Sequence, residues 1–501
     1  MPSHYNNYIN GKWVSATSAK RFKSMNPADT RKVIGTFPAS DARDVNKAVA
    51  AAKKAFQQWR LVPAPKRGEL LFKVAQLLEE RKSEMGDLVC KEMGKVKHES
   101  HGDVQEAIDM GYYMAGEGRR MFGDTVHSEL PQKDIKTMRV PVGVFGLITP
   151  WNFPTAIPAW KIFPALVCGN TVVFKPASYT PACASAFIKC FHDAGIPPGV
   201  LNMVHGSGTD VGEAIINHPD INGISFTGSS AIGKRIAAAC APRFIKHSLE
   251  MGGKNVIIVM DDADLDLAVD GCVWAGFGTT GQRCTAGSRV IVHKKIYDAF
   301  LKKFVHAVKK LRLGNGMDKN TDVGPLVSAE SVEKVKKYMD IARTKDHVTF
   351  MCGGKTATKG TLKQGYFFEP TVLANVKPNH VVAQEEIFGP VVSVLKANDL
   401  HDAITIANNV EYGLSSAIFT KNIHNAHIAA RDLETGIVYV NSSTIGAEIH
   451  TPFGGVKNTG NGHREAGGQG GAIETYTEIK VINVDYSGKI QKAQGIKWGK
   501  K

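Results

Sequence analysis

A buried strand that leads directly into a helix is predicted by Gly223-Ile-Ser-Phe-Thr-Gly-Ser-Ser-Ala-Ile-Gly233. The strand covers 223–226, and the small residues at 227–233 open the helix. The same alternation occurs upstream, with strands predicted at 142–148, 169–174 and 201–204 and helices at 181–194 and 208–217. Repeated strand and helix units predict an α/β protein with a doubly wound parallel sheet, which binds ligands beyond the carboxyl ends of its strands. We therefore expect a nucleotide-binding architecture.

Composition limits the class of protein. With 501 residues the chain is long enough for two or three domains, and 43% apolar with 22% charged residues is typical of a globular protein. No apolar run approaches the length of a membrane span and no signal sequence is apparent, so we expect a cytoplasmic protein that does not bind membranes. The eight cysteines are dispersed and contain no C-x-x-C motif, so we expect neither a disulfide framework nor a metal site.

The net charge of +15 leaves two readings open. It permits binding to nucleic acid, and the tail is itself basic, or it is a solvated surface that attracts anionic ligands. No nucleic-acid motif accompanies the charge, so we expect no nucleic-acid partner. The basic residues of the tail are Lys489, Lys492, Lys497, Lys500 and Lys501.

A phosphate site is one interpretation of Gly228, Ser229 and Gly233. Glycine lets the backbone approach a pyrophosphate, and the N-terminal amides of a helix attract negative charge. The motif lacks G-x-G-x-x-G spacing, and such residues also end strands without any functional reason. Lys175 at the end of the strand 169–174 is a second candidate, for ribose or phosphate, although a lysine there can also be merely solvated.

One thiol and one carboxylate stand 34 residues apart in Leu249-Glu-Met-Gly-Gly-Lys-Asn255 and Gly281-Gln-Arg-Cys-Thr285. Between them, 256–260 predicts a buried strand, and a helix follows that the glycines at 276, 278 and 281 interrupt. Cys284 is therefore expected on an irregular turn, where a thiol can react. By itself it could equally be a small buried hydrophobe, and Glu250 a surface carboxylate.

These motifs, together with Pro150-Trp-Asn-Phe-Pro154 and Glu385-Glu-Ile-Phe-Gly-Pro390, resemble the aldehyde dehydrogenase superfamily from about Tyr8 to Gly488. The resemblance implies that Cys284 attacks an aldehyde and that Asn152 and the Cys284 backbone N–H hold the oxyanion. Glu250 would then activate water to hydrolyse the thioester. Glu250 also favours release of a free carboxylic acid over transfer to coenzyme A.

The resemblance also implies an NAD or NADP site, with Lys175 at the adenosine ribose and with Glu386 and Phe388 at the nicotinamide ribose and ring. Members restricted to NAD often have a glutamate where Ser178 stands, so serine favours tolerance of NADP, and we expect both cofactors to be accepted. The expected cofactor residues are Ile148, Thr149, Pro150, Trp151, Lys175, Ala177, Ser178, Gly208, Gly212, Phe226, Gly228, Ser229, Gly233, Met251, Gly252, Glu386 and Phe388.

The substrate is the least determined feature. Phe153, Trp160 and Phe453 are candidates for an apolar tunnel or for core positions, and Arg283 either receives a substrate carboxylate or bonds to backbone. The sequence of residues 450–465 is most similar to that of 2-oxoglutarate semialdehyde dehydrogenases. Succinate-semialdehyde dehydrogenases commonly have arginine where Trp160 stands, and a broad aldehyde specificity remains an alternative.

The predicted organisation has three parts. Residues 1–121 and 142–252 form a cofactor-binding domain, 253–470 a catalytic domain, and 122–141 with 471–501 an oligomerisation arm and tail. The resemblance implies that strands at 136–140 and 481–486 pair with a neighbouring subunit in a homodimer or homotetramer. A non-catalytic nucleic-acid-binding protein on the same fold is the rival from another class, and the joint presence of Asn152, Glu250 and Cys284 argues against it.

Overall fold

The computed structural model describes residues 3–492, and three sheets organise it. The first sheet has seven strands, of which five run parallel in the predicted alternation with helices. The last two strands form a hairpin around Asn10-Gly11, a dipeptide suited to tight turns. In spatial order the strands are Lys246–Glu250, Gly223–Thr227, Val144–Ile148, Thr171–Lys175, Leu201–Met203, Asn7–Ile9 and Lys12–Val14.

The second sheet also has seven strands, and only its first strand is antiparallel to its neighbour. Its strand Asn255–Val259 follows Glu250 after four residues, so the two sheets are joined where the carboxylate stands. Parallel strands buried on both faces explain the continuous apolar runs in this part of the chain. In spatial order the strands are Thr349–Cys352, Thr371–Ala374, Val391–Ala397, Gly287–His293, Asn255–Val259, Ser415–Phe419 and Ile437–Val440.

The third sheet contains the two predicted arm segments, which were expected as exposed strands facing another subunit. Within the chain, Thr477–Asp485 pairs antiparallel with Lys133–Pro141 over nine positions, and Thr125–His127 adds a third strand. Each of the two arm strands therefore satisfies the backbone hydrogen-bonding groups of the other along one edge. Both strands are longer than the sequence indicates. Pairing with a neighbouring subunit stays a prediction. Of the basic tail, Lys497, Lys500 and Lys501 lie outside the described residues. The domain boundaries themselves stay predictions.

Two smaller sheets were not predicted. One joins Ser3–His4, Asp29–Pro38 and Arg21–Asn26, and the other pairs Tyr412–Gly413 with Val456–Lys457.

Helices cover both large sheets. The helices Ala64–Glu80 and Lys82–Met93 meet at Arg81. Every residue of Ala156–Val167 is buried. No helix within residues 3–492 is long and apolar enough to cross a membrane. The α-helices of this part of the chain are Ala42–Trp59, Ala64–Glu80, Lys82–Met93, Lys97–Glu117, Ala156–Val167, Pro181–Asp193, Glu213–Ile216, Ser230–Cys240, Leu265–Phe277, Tyr297–Lys309, Ala329–Thr344, Val381–Gln384, Leu400–Asn408, Ile423–Asp432 and Ile473–Tyr476.

Candidate active site

The turn before Cys284 is strained and held from outside. After the helix Leu265–Phe277, the short helical turn Gly278–Gly281 contains Thr279 at φ 51° and Thr280 at φ 59°. Left-handed backbone is unfavourable for β-branched residues and persists only where the surroundings impose it. Here the Thr279 N–H donates to Glu99, and the Thr280 hydroxyl donates to the Gly324 carbonyl at 3.0 Å. The irregular turn predicted for Cys284 is confirmed.

Cys284 borders two cavities. Its carbonyl accepts a hydrogen bond of 2.6 Å from Asn255 Nδ2, which fixes the backbone at Cys284. Its own N–H has no acceptor among residues 3–492. Ile157, Thr227 and Met251 border the same two cavities, so the thiol stands in the wall or passage between them.

The first cavity, of about 670 Å³, brings together all four residues predicted for substrate. Phe153, Trp160, Arg283 and Phe453 line it, and the Trp160 and Phe453 rings meet edge to face with centroids 4.9 Å apart. The Trp160 Nε1 is buried without a hydrogen-bond partner in the described chain. Sequence reasoning missed several further lining residues, which are Glu106, Ile157, Thr227, Thr285, Gly446, Ala447 and Glu465.

Arg283 combines the two interpretations that the sequence left open. Its Nε donates to Thr279 Oγ1 at 2.9 Å and its Nη2 to Glu99 at 3.1 Å, which is a structural role. Its Nη1 has no acceptor within residues 3–492, and the side chain lines the first cavity. The Nε and Nη2 atoms of the guanidinium are thus hydrogen-bonded, while Nη1 has no partner in the described chain.

The second cavity, of about 640 Å³, lies on the other side of the thiol. The Gly253 N–H donates to Glu386 at 3.0 Å, and a Cβ at Gly252 would overlap the Glu386 carboxylate. The Phe388 and Trp151 rings meet edge to face at 5.6 Å. Lys334, which was not predicted, also lines this cavity. The predicted residues that line it are Pro150, Trp151, Asn152, Gly228, Ser229, Met251, Gly252, Glu386 and Phe388.

A second group of predicted cofactor residues lies around Lys175, outside these two cavities. The Lys175 Nζ donates to the Pro176 carbonyl at 2.8 Å, and burial lowers the pKa of Lys175 to about 8. A Cβ at Gly212 would stand 3.7 Å from this side chain, in ordinary contact. Ser178 donates to the Gly206 carbonyl at 3.0 Å, so its hydroxyl proton is engaged inside the protein.

Several other predicted cofactor residues are packed against their neighbours in the protein interior. Ile148 and Phe226 are buried at the ends of strands, and Gly233 lies against Met251, whose side chain a Cβ would overlap. Thr149 directly follows Ile148, and Ala177 lies two residues after Lys175. Thr149 and Ala177 are buried, whereas a Cβ at Gly208 would meet open space.

Glu250 stands at the carboxyl end of its strand with 3% of its surface exposed. Its Oε2 has no hydrogen-bond partner in the described chain. Burial raises the pKa of Glu250 well above its ordinary value, and the nearby Glu465 carboxylate raises it further. Glu250 and Cys284 line the first cavity together, so a carboxyl that can take up a proton shares this cavity with the thiol.

Sequence reasoning missed the pair formed by Lys161 and Glu465. The Lys161 Nζ contacts the Glu465 carboxylate and donates to Ser225 Oγ at 2.8 Å, while Thr227 Oγ1 donates to Glu465 at 3.4 Å. Lys161 is not conspicuous as a single charged residue. Its neighbours make it so, because it interrupts an otherwise apolar helix. A buried cation needs a partner, and that interruption was the available signal.

Asn152 is buried beside the turn that carries Cys284. Its Nδ2 donates to the Gln282 carbonyl at 3.0 Å, which leaves the second N–H of the amide without a partner in the described chain. With the Cys284 N–H, two donors are therefore available near the thiol. Preorganised donors of this kind stabilise an oxyanion.

The thiol is held in its neutral form. Burial raises the pKa of Cys284 to about 12, and the carboxylates of Glu386, Glu250 and Glu465 add to the effect. Since the thiolate is the nucleophile, attack requires a base or a positive charge that arrives with a ligand.

Comparisons with known proteins agree with this geometry. A family model described as "Aldehyde dehydrogenase family" matches residues 13–482. The alpha-ketoglutaric semialdehyde dehydrogenase of Bacillus subtilis is 40% identical over 480 residues, covering 96% of this chain and 98% of the relative. The D-glyceraldehyde dehydrogenase (NADP(+)) of Picrophilus torridus is 37% identical over 482 residues, covering 96% of each chain.

Among solved structures, a betaine aldehyde dehydrogenase from Staphylococcus aureus in complex with NAD+ is similar over the whole fold. It gives a TM-score of 0.94 at 35% identity and covers 99% of this chain and 97% of that one.

Proposed function

This chain belongs to the aldehyde dehydrogenase family, and we propose that it oxidises a carboxylate-bearing aldehyde to the acid through a thioester on Cys284. It is an NAD(P)-dependent oxidoreductase. The observation that carries the proposal is the position of Cys284 between two cavities. One offers aromatic walls and Arg283 to a substrate, and the other offers Glu386 to a ribose.

The second cavity fits a nicotinamide cofactor. Glu386 can accept hydrogen bonds from ribose hydroxyls, and the missing side chain at Gly252 gives its carboxylate room. Lys175 and Ser178 would hold the adenosine half, and the Ser230–Cys240 helix presents its N-terminus beside Gly228. When bound, the cofactor accepts the hydride that leaves the substrate carbon. Because Ser178 adds no negative charge, we expect both NAD and NADP to be accepted.

The side chains around the thiol supply the other steps. The Cys284 thiol gives up its proton to water, its sulfur bonds to the aldehyde carbon, and Asn152 with the Cys284 N–H holds the oxygen that becomes negative. After oxidation, Glu250 takes a proton from water, whose oxygen attacks the thioester carbon and releases the acid and the thiol. Its raised pKa suits this role, because a carboxylate with a raised pKa is a stronger base than an ordinary one and removes a proton from water more readily.

The substrate is proposed to be a semialdehyde such as 2-oxoglutarate semialdehyde. Two features support this choice. A relative that is 40% identical carries that activity in its name, and Arg283 keeps one unengaged nitrogen at the cavity. The aromatic walls formed by Trp160 and Phe453 suit the aliphatic part of the molecule.

We also propose a homodimer or homotetramer formed through the arm. Ile479, Val481 and Val484 on the outer arm strand have 61%, 57% and 50% of their surface exposed. Exposed apolar residues on an edge strand favour pairing with another chain. A cytoplasmic location stays a prediction.

A steady-state screen tests the proposed activity. Wild-type protein is offered acidic and neutral aldehydes with NAD and with NADP, and both reduced cofactor and carboxylic acid are quantified. We expect acid formation without coenzyme A, and no turnover by Cys284→Ala. Turnover only in the presence of coenzyme A, or none with any aldehyde, would contradict the proposal.

A further inference from the structure

A cluster of charges lies behind Phe153, against the wall of the first cavity. Lys95 and Asp103 pair at 3.0 Å with both side chains fully buried, and Lys95 Nζ stands 3.3 Å from the centre of the Phe153 ring. Arg283 pairs with Glu99 at 3.1 Å. Two cations are thus matched by two carboxylates, and these four charges balance.

Glu106 is the fifth and unmatched group. It projects from the helix Lys97–Glu117 and lines the first cavity. No hydrogen bond or ion pair to its carboxyl occurs within residues 3–492. The other members of the cluster each have a partner, so the cavity is the remaining place from which a partner for Glu106 can come.

Glu106 lines the same cavity as Arg283, Glu250 and Cys284. The charges that act on Glu106 are those of Asp103, Lys95, Arg283 and Asp109. The charges that act on the Cys284 thiol are those of Glu386, Glu250 and Glu465. Glu106 and the thiol are therefore influenced by different charged groups, and of the cations that act on Glu106, Arg283 is the one that lines the cavity.

We infer that Glu106, with its carboxyl protonated, and the unengaged Arg283 Nη1 together receive the distal carboxylate of an acidic aldehyde. This inference rests on the proposed function and adds a specificity-determining residue to it. The protonated acid donates one hydrogen bond to the substrate carboxylate, and the guanidinium donates another. An ionised Glu106 could only repel the same group.

The protonation state required is the one that this environment favours. Burial raises the pKa of Glu106 to about 8, with Asp103 and Asp109 on its own helix adding to the shift. Lys95 and Arg283 oppose the shift. Across the cavity, Glu250, Glu465 and Cys284 also line the wall, and none of them is a cation. The proton is therefore held at neutral pH and lost as the pH rises through about 8.

The expected effect is specific for acidic substrates. If only the protonated form binds the distal carboxylate, the KM for succinate semialdehyde should rise about tenfold between about pH 7 and about pH 9. Butanal has the same chain length without the carboxylate, so its KM should change much less. The ratio of the two KM values removes effects on the shared chemical steps.

Three variants make the test selective. Glu106→Gln keeps a hydrogen-bond donor that cannot ionise, so the KM ratio should stay nearly constant between about pH 7 and about pH 9. Glu106→Ala should raise the KM for succinate semialdehyde about tenfold at neutral pH, with a much smaller change for butanal. Glu80→Gln, on the neighbouring helix with an exposed carboxylate, is the matched control and should behave as wild type.

A pH-dependent ratio that persists unchanged in Glu106→Gln would overturn the inference. So would equal losses for both aldehydes in Glu106→Ala, because they would indicate only a structural role. Failure of the proposed function looks different, since wild-type protein would then oxidise neither aldehyde at any pH.

Discussion

Both carboxylate oxygens of Glu99 accept a hydrogen bond from the backbone N–H of Thr279, at 2.8 and 3.0 Å, across 180 residues of sequence. Thr279 is held in left-handed backbone five residues before the nucleophile. A helix from the first half of the chain thereby fixes the turn that carries the thiol.

Replacing Glu99 with alanine should release that turn. The change removes the acceptor for Thr279 and leaves the buried Arg283 without its carboxylate, which costs about 3 kcal/mol of unfolding free energy. A displaced thiol should lower kcat by roughly a hundredfold. Urea unfolding and steady-state kinetics measure the two effects. Glu99→Gln, which keeps an acceptor but no charge, should lie between, and wild-type stability in the alanine variant would contradict the role assigned to Glu99.

Ser178 should govern tolerance of the 2′-phosphate of NADP. A carboxylate at this position would repel the phosphate, so Ser178→Glu should raise the KM for NADP by roughly tenfold, about 1.4 kcal/mol, and that for NAD much less. Ser178→Ala is the control, because it removes the bond to Gly206 without adding charge. Equal losses with both cofactors in the glutamate variant would mean that Ser178 does not face the 2′ position.

The reactivity of Cys284 in the absence of cofactor should depend steeply on pH. Burial and neighbouring carboxylates raise its pKa to about 12, so the thiolate fraction grows about tenfold for each pH unit well below that value. Alkylation by iodoacetamide, followed at the Cys284 peptide by mass spectrometry, should accelerate in this way between about pH 7 and about pH 9. A plateau near neutral pH would show a thiolate that the surroundings stabilise.

The arm should hold subunits together. Light scattering at micromolar concentration should give a multiple of the 54.2 kDa chain mass. Val481→Lys places a charge on the exposed face of the arm strand and should lower the measured mass, whereas Leu61→Lys, at an exposed position on a distant loop, should not. A monomer for the wild-type protein would refute the proposed assembly.

Local patterns predicted what depends on local order. The parallel strands and the irregular turn at Cys284 follow from apolar periodicity and from glycine, which act over a few residues. The strands Arg21–Asn26 and Asp29–Pro38 were missed because they are rich in polar residues. A distant contact accompanies them, since Ser24 donates to the buried Glu92 at 2.7 Å.

The charges of the site could not be read from local patterns either. Lys161 and Glu465 are separated by 304 residues, and only the fold brings them together. The helix break at Arg81 has no glycine or proline to mark it, while the Arg81 side chain pairs with Asp193 at 2.7 Å. Among described residues, family motifs led to the proposed reacting groups, whereas the charges around them depend on tertiary structure.

The central claim is that Cys284 forms the thioester and Glu250 removes it. Rapid mixing of Glu250→Gln with aldehyde and oxidised cofactor measures the two steps separately. Acylation by Cys284 predicts a burst of about one reduced cofactor per active site, followed by slow turnover, and Cys284→Ala should show neither phase. Full steady-state activity in Glu250→Gln, without an accumulated thioester, would remove Glu250 from the mechanism.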